Sequence, residues 1–99
     1  MEKRRPHYDL KAIQAQMNCI ERVNLTITAR HGAKALGMRL GDVLSVVQRL
    51  STRNFYKAMT VYSDSKSWQD VYHAEWKGKA LYVKVQKHDD FFIVSFKER

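Results

Sequence analysis

The sequence predicts an α+β fold in which three N-terminal helices pack on one face of a mostly antiparallel, twisted β-sheet. Three observations support this prediction. Apolar residues recur at steps of three and four in the first half of the 99-residue chain, they alternate with polar residues after Ser51, and turn residues separate the alternating segments. Helices followed by strands in chain order are typical of an α+β layout. A chain of 99 residues is long enough for one core, and we assign residues 1–99 to a single domain.

Three segments have the apolar period of a helix. The first predicted helix covers residues 8–19, and a short strand is expected at 22–25. The second helix begins after Thr26 or Thr28, either of which can cap it, and ends before Gly37. The apolar stripes are Leu10, Ile13, Met17 and Ile20 in the first helix, Ala29, Ala33 and Leu36 in the second, and Leu40, Val43, Leu44, Val47 and Leu50 in the third.

Four strands are predicted in the second half, at residues 55–62, 68–76, 80–86 and 91–97. Lys77 and Gly78 supply turn chemistry between the second and third of these strands, and residues 87–90 do so between the third and fourth. Since both connections are short, we expect hairpins and therefore antiparallel pairing.

Alternation along these strands predicts which residues face the helices. We expect Leu81, Val83 and Val85 to point inward, whereas Tyr82, Lys84 and Gln86 point outward. In the last strand we expect Phe92, Val94 and Phe96 inside and Ile93, Ser95 and Lys97 outside, and in the first strand we expect Lys57 to share a face with Phe55 and Met59.

The charge balance favours a polyanionic partner. The chain contains eighteen Lys and Arg residues and ten Asp and Glu residues, which gives a formal net charge of +8 that both halves of the chain share. Such a field attracts nucleic acid, although an acidic protein would be drawn by it as well. The single cysteine, Cys19, excludes an intrachain disulfide, and no segment has the apolar length of a signal peptide or a membrane span. We therefore expect a cytoplasmic protein with no membrane partner.

The sequence argues against metal and nucleotide chemistry. Its histidines show no metal-ligand spacing, no phosphate-binding glycine motif occurs, and we expect no cofactor. Paired carboxylates for a two-metal nuclease are missing from the open face, and we place the aspartates of the second half at turns or strand ends, namely Asp64, Asp70, Asp89 and Asp90. Any cleavage of a phosphodiester would therefore use the 2′-hydroxyl of RNA as the nucleophile, with protein groups that orient it, move protons and stabilise charge.

The outward-facing side chains are suited to RNA. If the strand register brings them together, the open face of the sheet carries lysines, Tyr82 and Gln69 around a partly apolar floor. Lysine binds phosphate, and aromatic rings stack on bases without demanding a sequence. The same surface would also serve a non-catalytic RNA-binding module or a regulatory subunit that docks an acidic protein.

The chain resembles the MqsR toxins, a branch of the RelE-like ribonuclease toxins, over nearly its whole length. The second half carries the more specific part of the resemblance. The matching residues are MEKR at 1–4, PH at 6–7, FYK at 55–57, MT at 59–60, YSD at 62–64, WQDVY at 68–72, Gly78, Tyr82, Lys84 and IVSFKE at 93–98.

This resemblance implies a RelE-like fold and a toxin that cuts single-stranded mRNA without the ribosome, at short GC-containing sites. It also implies an MqsA-like antitoxin partner with a zinc-binding domain and a helix-turn-helix domain, through which alone the toxin would meet DNA. The family's catalytic positions fall on Lys57, Gln69, Tyr82 and Lys97, and the RNA-binding positions that we assign are Met59, His73 and Lys84. The family often has a basic residue at the position of His73, and Asp89-Asp90 replaces a His-Asp pair.

These positions suggest roles for the side chains. Lys57 and Lys97 would flank the scissile phosphate and stabilise its developing charge. Tyr82 would transfer a proton, and we expect a neighbouring ammonium group to favour its phenolate form. Gln69 would orient the phosphate or a base edge through its paired donor and acceptor.

Overall fold

The computed structural model describes residues 1–99 and contains three α-helices and a five-stranded sheet. Neighbouring strands follow chain order, and every ladder is antiparallel. The predicted α+β fold is therefore confirmed. None of the helices has the length and apolar character required to cross a membrane. The elements are β1 (Glu2–Lys3), α1 (Leu10–Gln16), α2 (Ile27–Ala35), α3 (Leu40–Arg49), β2 (Phe55–Val61), β3 (Asp64–Trp76), β4 (Lys79–His88) and β5 (Asp90–Glu98).

One core joins the helices to one face of the sheet. It contains 19 buried residues drawn from all three helices and from β3, β4 and β5. The inward prediction for β4 is confirmed, since Leu81, Val83 and Val85 are buried in this core. The opposite face of the sheet has no helix over it, and we call it the open face.

Helix α2 is fixed against β5 by its cap and by a glycine. Thr26, one of the two predicted caps, accepts a hydrogen bond from the Ala29 amide at 3.1 Å and donates to the Val94 carbonyl at 3.1 Å. A Cβ atom at Gly32 would lie 1.9 Å from the Phe96 carbonyl oxygen. The glycine that lowers intrinsic helix propensity is therefore what lets the helix approach the strand. Gly37 ends the helix with a φ of 75°, as predicted.

The segment between α1 and α2 differs from the prediction. Helix α1 stops at Gln16, because the backbone of Met17 leaves the helical conformation (φ −88°, ψ 60°). Met17 is still buried in the core, whereas Ile20, which the sequence placed in the same stripe, is 44% exposed. The strand expected at 22–25 is wrong, since Ile20–Arg22 forms a 3₁₀ turn and only Leu25 makes a bridge, parallel to Ile93. The pairing with β5 is limited to this single bridge because the chain enters helix α2 almost directly after Leu25.

This segment also covers the outer edge of β5. The Gln16 side chain accepts from the Phe91 amide and donates to the Phe91 carbonyl, both at 2.7 Å. The backbone of residues 24–26 bonds both polar groups of Ile93, with the Asn24 carbonyl and the Thr26 amide as partners. The first half of the β5 edge is therefore hydrogen-bonded within the chain.

A β-bulge in β5 corrects the faces predicted for this strand. Val85 pairs with Ile93 whereas Lys84 pairs with Ser95, so Val94 is an extra residue between the two pairs. Before the bulge Phe91 and Ile93 are buried, and after it Phe96 is. The expectations that Phe92 and Val94 point inward and Ile93 outward are wrong, because a strict period of two does not survive an inserted residue.

A second bulge lies in β2. Phe55 pairs with Tyr72 and Lys57 with Val71, so Tyr56 is the extra residue. Phe55 packs edge-on against the buried ring of Tyr72, at a centroid distance of 5.6 Å, and belongs to the helix side. The expectation that Lys57 shares a face with Phe55 is therefore wrong, whereas Lys57 and Met59 do lie on the same face.

The N-terminal segment forms an edge strand that sequence reasoning missed. Strand β1 pairs with β2, with Glu2 opposite Met59 and Lys3 opposite Ala58. Asp70 holds the following residues, accepting hydrogen bonds from the amides of His7 (3.0 Å) and Tyr8 (2.8 Å). The placement of Asp70 at a strand end is thus wrong, because it lies buried within β3 on the helix side. Burial raises the pKa of its carboxyl group against the opposing effect of these hydrogen bonds.

The predicted hairpins are confirmed. Lys77 and Gly78 both have positive φ, 49° and 79°, and they connect Trp76 to Lys79 in a two-residue turn. Asp89 makes the β4–β5 turn with a φ of 65°, so these two strands run farther than the sequence predicted.

Candidate active site

Three rows of cross-strand neighbours cover the open face. Each row crosses β3 and β4, and successive rows lie two residues apart, which is about 7 Å along a strand. The first row is Met59, Gln69, Gln86 and Phe92, the second is Lys57, Val71, Lys84 and Ser95, and the third is His73, Tyr82 and Lys97. All seven site residues predicted from the sequence therefore lie on one face of the sheet.

Tyr82 lies among the cations of this face. The Nζ atoms of Lys97 and Lys84 are 5.5 Å and 5.6 Å from the centroid of its ring. Burial raises the pKa of Tyr82, and the charge of Lys57 opposes this effect without overcoming it. The expectation of a phenolate is therefore wrong, and Tyr82 is a neutral phenol at neutral pH that can donate a proton.

The ammonium group of Lys84 is more acidic than that of an exposed lysine. Burial lowers the pKa of its ammonium group, and the charges of Lys97 and Lys57 lower it further. Its neighbour Val71, which lies outside the helix-side core, is fully buried at the floor of the open face. A lysine of this kind releases its proton more readily and can act as a base as well as a phosphate ligand.

Lys57 forms an ion pair with the N-terminal strand. Its Nζ atom lies 3.0 Å from Oε1 of Glu2, and the hydrogen bond to Glu2 raises the pKa of Lys57. The pairing follows from the register, because Glu2 lies opposite Met59 on the open face. Lys57 therefore keeps its positive charge, and a phosphate bound to it would lie next to the carboxylate of Glu2.

Gln69 and Met59 lie at the other end of the site. Gln69 donates a hydrogen bond of 2.8 Å to Oε1 of Gln86, directly across from it. Its row is separated from the Tyr82 row by four residues of β3, which is about 13 Å along the strand. The structure thus brings Lys57, Lys84, Tyr82 and Lys97 together. Gln69 lies one row from Lys57 and Lys84 and two rows from Tyr82 and Lys97.

Tyr56 and His73 form a stacked pair beside Tyr82. Their ring centroids are 4.3 Å apart with an angle of 21° between the planes, and His73 is 6.2 Å from the ring of Tyr82. Burial lowers the pKa of His73, as does the charge of Arg99. The family often has a basic residue at this position, whereas the imidazole of His73 is uncharged at neutral pH.

Sequence reasoning missed Tyr56 and Glu2 as parts of this face. The outward prediction for Gln86 is confirmed, and its position opposite Gln69 required only the register of a two-residue hairpin. Glu2 and Tyr56 could not be found in this way, because a two-residue strand and a bulge leave no periodic signal.

No deep pocket forms on the open face. A cavity of about 440 Å³ lies on the helix side, between α3 and the end of β3, and is lined by residues that include Val46, Ala74 and Trp76. No group of three or more His, Cys, Asp and Glu side chains is arranged to hold a metal ion. The candidate site is an exposed surface, which suits an extended chain such as single-stranded RNA.

The comparison with protein families assigns the chain to one of them. The family described as "Motility quorum-sensing regulator, toxin of MqsA" matches residues 5–98. The chain belongs to the MqsR toxin family. It is also similar to the mRNA interferase toxin MqsR of Escherichia coli strain K12, with 39% identity over 99 residues that cover all of both chains. The resemblance drawn from the sequence is thus confirmed, and the open face of this MqsR-family sheet is its candidate active site.

Proposed function

We propose that this protein is the toxin of a toxin–antitoxin pair and an endoribonuclease that cuts single-stranded mRNA without the ribosome. Membership of the MqsR family and the similarity to a protein named mRNA interferase support this function. The observation that carries it is the convergence of Lys57, Lys84 and Lys97 around Tyr82 on one exposed face. With mRNA as its substrate, the protein acts in the cytoplasm.

The reaction proceeds by attack of the substrate 2′-hydroxyl on the adjacent phosphorus. The amine of Lys84 takes the proton from O2′, and Tyr82 gives its proton to O5′ as the P–O5′ bond breaks. Lys57 and Lys97 stabilise the charge that develops on the non-bridging oxygens. The products are a 2′,3′-cyclic phosphate and a 5′-hydroxyl, and no step requires a metal ion or a cofactor.

Substrate selection is assigned to the Gln69 end of the site. Gln69 and Gln86 together present amide donors and acceptors one row away from Lys57 and Lys84, and Met59 provides an apolar surface beside them. Amide groups in such a pair can read a base edge. We propose that this row contacts a neighbouring nucleotide and contributes to cleavage at short GC-containing sites.

The partner that we propose is an MqsA-like antitoxin, in accordance with the family description. It would carry a zinc-binding domain and a helix-turn-helix domain, and the toxin would reach DNA only through it. This partner follows from the family and not from a surface of the chain.

The test of the function is cleavage of an end-labelled single-stranded RNA by the purified protein in excess EDTA. We expect fragments with 5′-hydroxyl and 2′,3′-cyclic phosphate ends, and no fragments from a Tyr82→Phe, Lys97→Ala double variant purified in parallel. Binding without cutting would establish the non-catalytic RNA-binding alternative. Expression without growth arrest, together with no RNA binding, would favour a regulatory subunit. Sequencing of RNA 5′ ends after induction then identifies the cleavage site.

A further inference from the structure

The ion pair between Lys57 and Glu2 is the only salt bridge in the structure. The chain has 18 Lys and Arg residues and a formal net charge of +8, so nearly all of its cations have no carboxylate partner. The exception is a lysine of the candidate active site, whose Nζ atom lies 3.0 Å from Oε1 of Glu2. The one paired carboxylate of the molecule therefore lies where the site would bind the negative charge of RNA.

Contacts other than the ion pair hold β1 in the position from which Glu2 reaches Lys57. The strand is hydrogen-bonded to β2, and alternation puts Lys3 on its opposite face. There Nζ of Lys3 lies 4.2 Å from the centroid of the Trp68 ring, and the buried Asp70 accepts hydrogen bonds from the two amides at residues 7 and 8. The ion pair can therefore open without the loss of β1.

The side chain of Glu2 is the more mobile partner, because it is 55% exposed whereas that of Lys57 is 20% exposed. The hydrogen bond and the charge of Lys57 lower the pKa of Glu2, so its carboxylate is ionised at neutral pH. A carboxylate oxygen and a phosphate oxygen accept the same charge-assisted hydrogen bond from an ammonium group. Glu2 thus takes up a hydrogen-bond donor of Lys57 and offsets the charge that Lys57 would offer to RNA.

We propose that Glu2 is an internal competitor for the phosphate group that Lys57 binds, and that RNA must displace the Glu2 side chain to use this lysine. The inference rests on the proposed ribonuclease function and adds to it a residue that limits the affinity of the site. Because β1 stays paired with β2, the carboxylate remains close to the site and returns to Lys57 when the RNA leaves.

The test measures the binding of an RNA that cannot be cleaved because the attacking nucleotide carries a 2′-deoxy group. Glu2→Gln keeps the size of the side chain and removes its charge, so it should bind this RNA about three- to 20-fold more tightly at low salt. The slope of log K against log salt should become steeper by about 0.7, which is the value for one additional phosphate contact in a single strand.

Glu21→Gln is the matched control for this measurement. It removes the same charge from an exposed glutamate in the 3₁₀ turn at Ile20–Arg22, and this glutamate forms no salt bridge. Its affinity should stay within about twofold of the parent, because a distant exposed charge is largely screened. An equal gain in Glu21→Gln and Glu2→Gln would show that only net charge matters, and it would overturn the proposal.

A double-mutant cycle tests whether the effect depends on Lys57. When Glu2→Gln is introduced into Lys57→Ala, the gain in affinity should fall to less than about twofold, because no cation remains for the carboxylate to occupy. An equal gain in both backgrounds would show that Glu2 repels RNA without competing for Lys57. Unchanged or weaker binding by folded Glu2→Gln would also overturn the competition.

This experiment separates the two proposals, because binding requires no chemistry. If the parent protein cuts RNA but Glu2→Gln binds it no more tightly, the competition alone is refuted. If Glu2→Gln binds more tightly but neither protein cuts unmodified RNA, the ribonuclease function alone is refuted. Circular dichroism of each variant checks that the sheet is intact.

Discussion

Tyr82 and Lys84 lie close together in the sequence and in space. Their surroundings nevertheless shift their pKa values in opposite directions. Burial raises the pKa of the phenol and lowers that of the ammonium group. Near neutral pH the phenol keeps its proton, and the lysine gives up its own more readily than a lysine in water. Two groups separated in this way are suited to act as acid and base in one reaction.

Tyr82→Phe and Lys97→Ala should each lower the rate of RNA cleavage by at least about tenfold and by as much as about 10³-fold. The first variant removes the proton donor, and the second removes a charge that stabilises the transition state. Single-turnover cleavage of a labelled RNA measures the effect. Lys87→Ala is the control, since Lys87 is exposed at the β4–β5 turn. Full activity in both folded variants would refute the mechanism.

Lys84→Arg should change the pH dependence of cleavage rather than RNA binding alone. In the parent, the rate rises as the pH increases from neutral toward alkaline values, and it does so at lower pH than an exposed lysine would allow, because an amine with a lowered pKa loses its proton earlier. A guanidinium group keeps the charge but does not deprotonate, so the variant should show a low, flat profile in this range. Parallel profiles for the two proteins would assign the base to another group.

The individual site residues differ in how well the sequence predicts them. Lys57, Tyr82 and Lys97 were found because outward positions in alternating strands coincide with the family's positions. The phenolate of Tyr82 was wrongly predicted, because a sequence shows which charges are near but not how far the ring is removed from water. The assigned roles of all seven residues stay predictions, and the variants above test those of Tyr82, Lys84 and Lys97.

Among the helices, strands and turns, the sequence correctly predicts those features that depend only on residues close together in the chain. The stripe of α3, the Thr26 cap and the Lys77-Gly78 turn are of this kind, and all three form as expected. Bulges and edge strands depend on partners elsewhere in the chain. Val94, Tyr56 and β1 were therefore missed or misassigned.

Gly32→Ala should destabilise the protein by about 1–3 kcal/mol despite the better helix propensity of alanine. The added Cβ would collide with the Phe96 carbonyl oxygen, so α2 must move away from β5. Gly41→Ala is the matched control, because Gly41 also lies in a helix, α3, and a Cβ there meets nothing within 4 Å. The control should gain up to about 1 kcal/mol. Urea unfolding followed by circular dichroism measures both; equal stabilities would contradict the close approach.

For the whole molecule, the net charge of +8 is shared by both halves of the chain, and the open face gathers three lysines within reach of one ring. The general charge draws RNA to the protein, and the clustered charge holds it in register. The two contributions to RNA binding can be separated by removing one lysine from the open face and, in a second variant, one lysine from elsewhere on the surface.

Lys84→Ala should lower the salt dependence of RNA binding by about 0.7 in the slope of log K against log salt, which is the value for one phosphate contact in a single strand. Lys34→Ala, in α2 on the helix side, removes the same formal charge and should leave the slope nearly unchanged. Titration of non-cleavable RNA at several salt concentrations measures both. An equal change in the two variants would show that only net charge matters.

The two margins of the sheet are unequally protected. Side chains and backbone from residues 16–26 bond the outer amides and carbonyls of Phe91 and Ile93 in β5, whereas β1 shields only the part of β2 around Ala58 and Met59. If copies of the chain associate through intermolecular sheet formation, β2 is the strand that they join. In dilute solution, amide hydrogen exchange should be faster along the first residues of β2 than at Phe91 and Ile93 of β5, and at high concentration association should slow the exchange of the β2 amides.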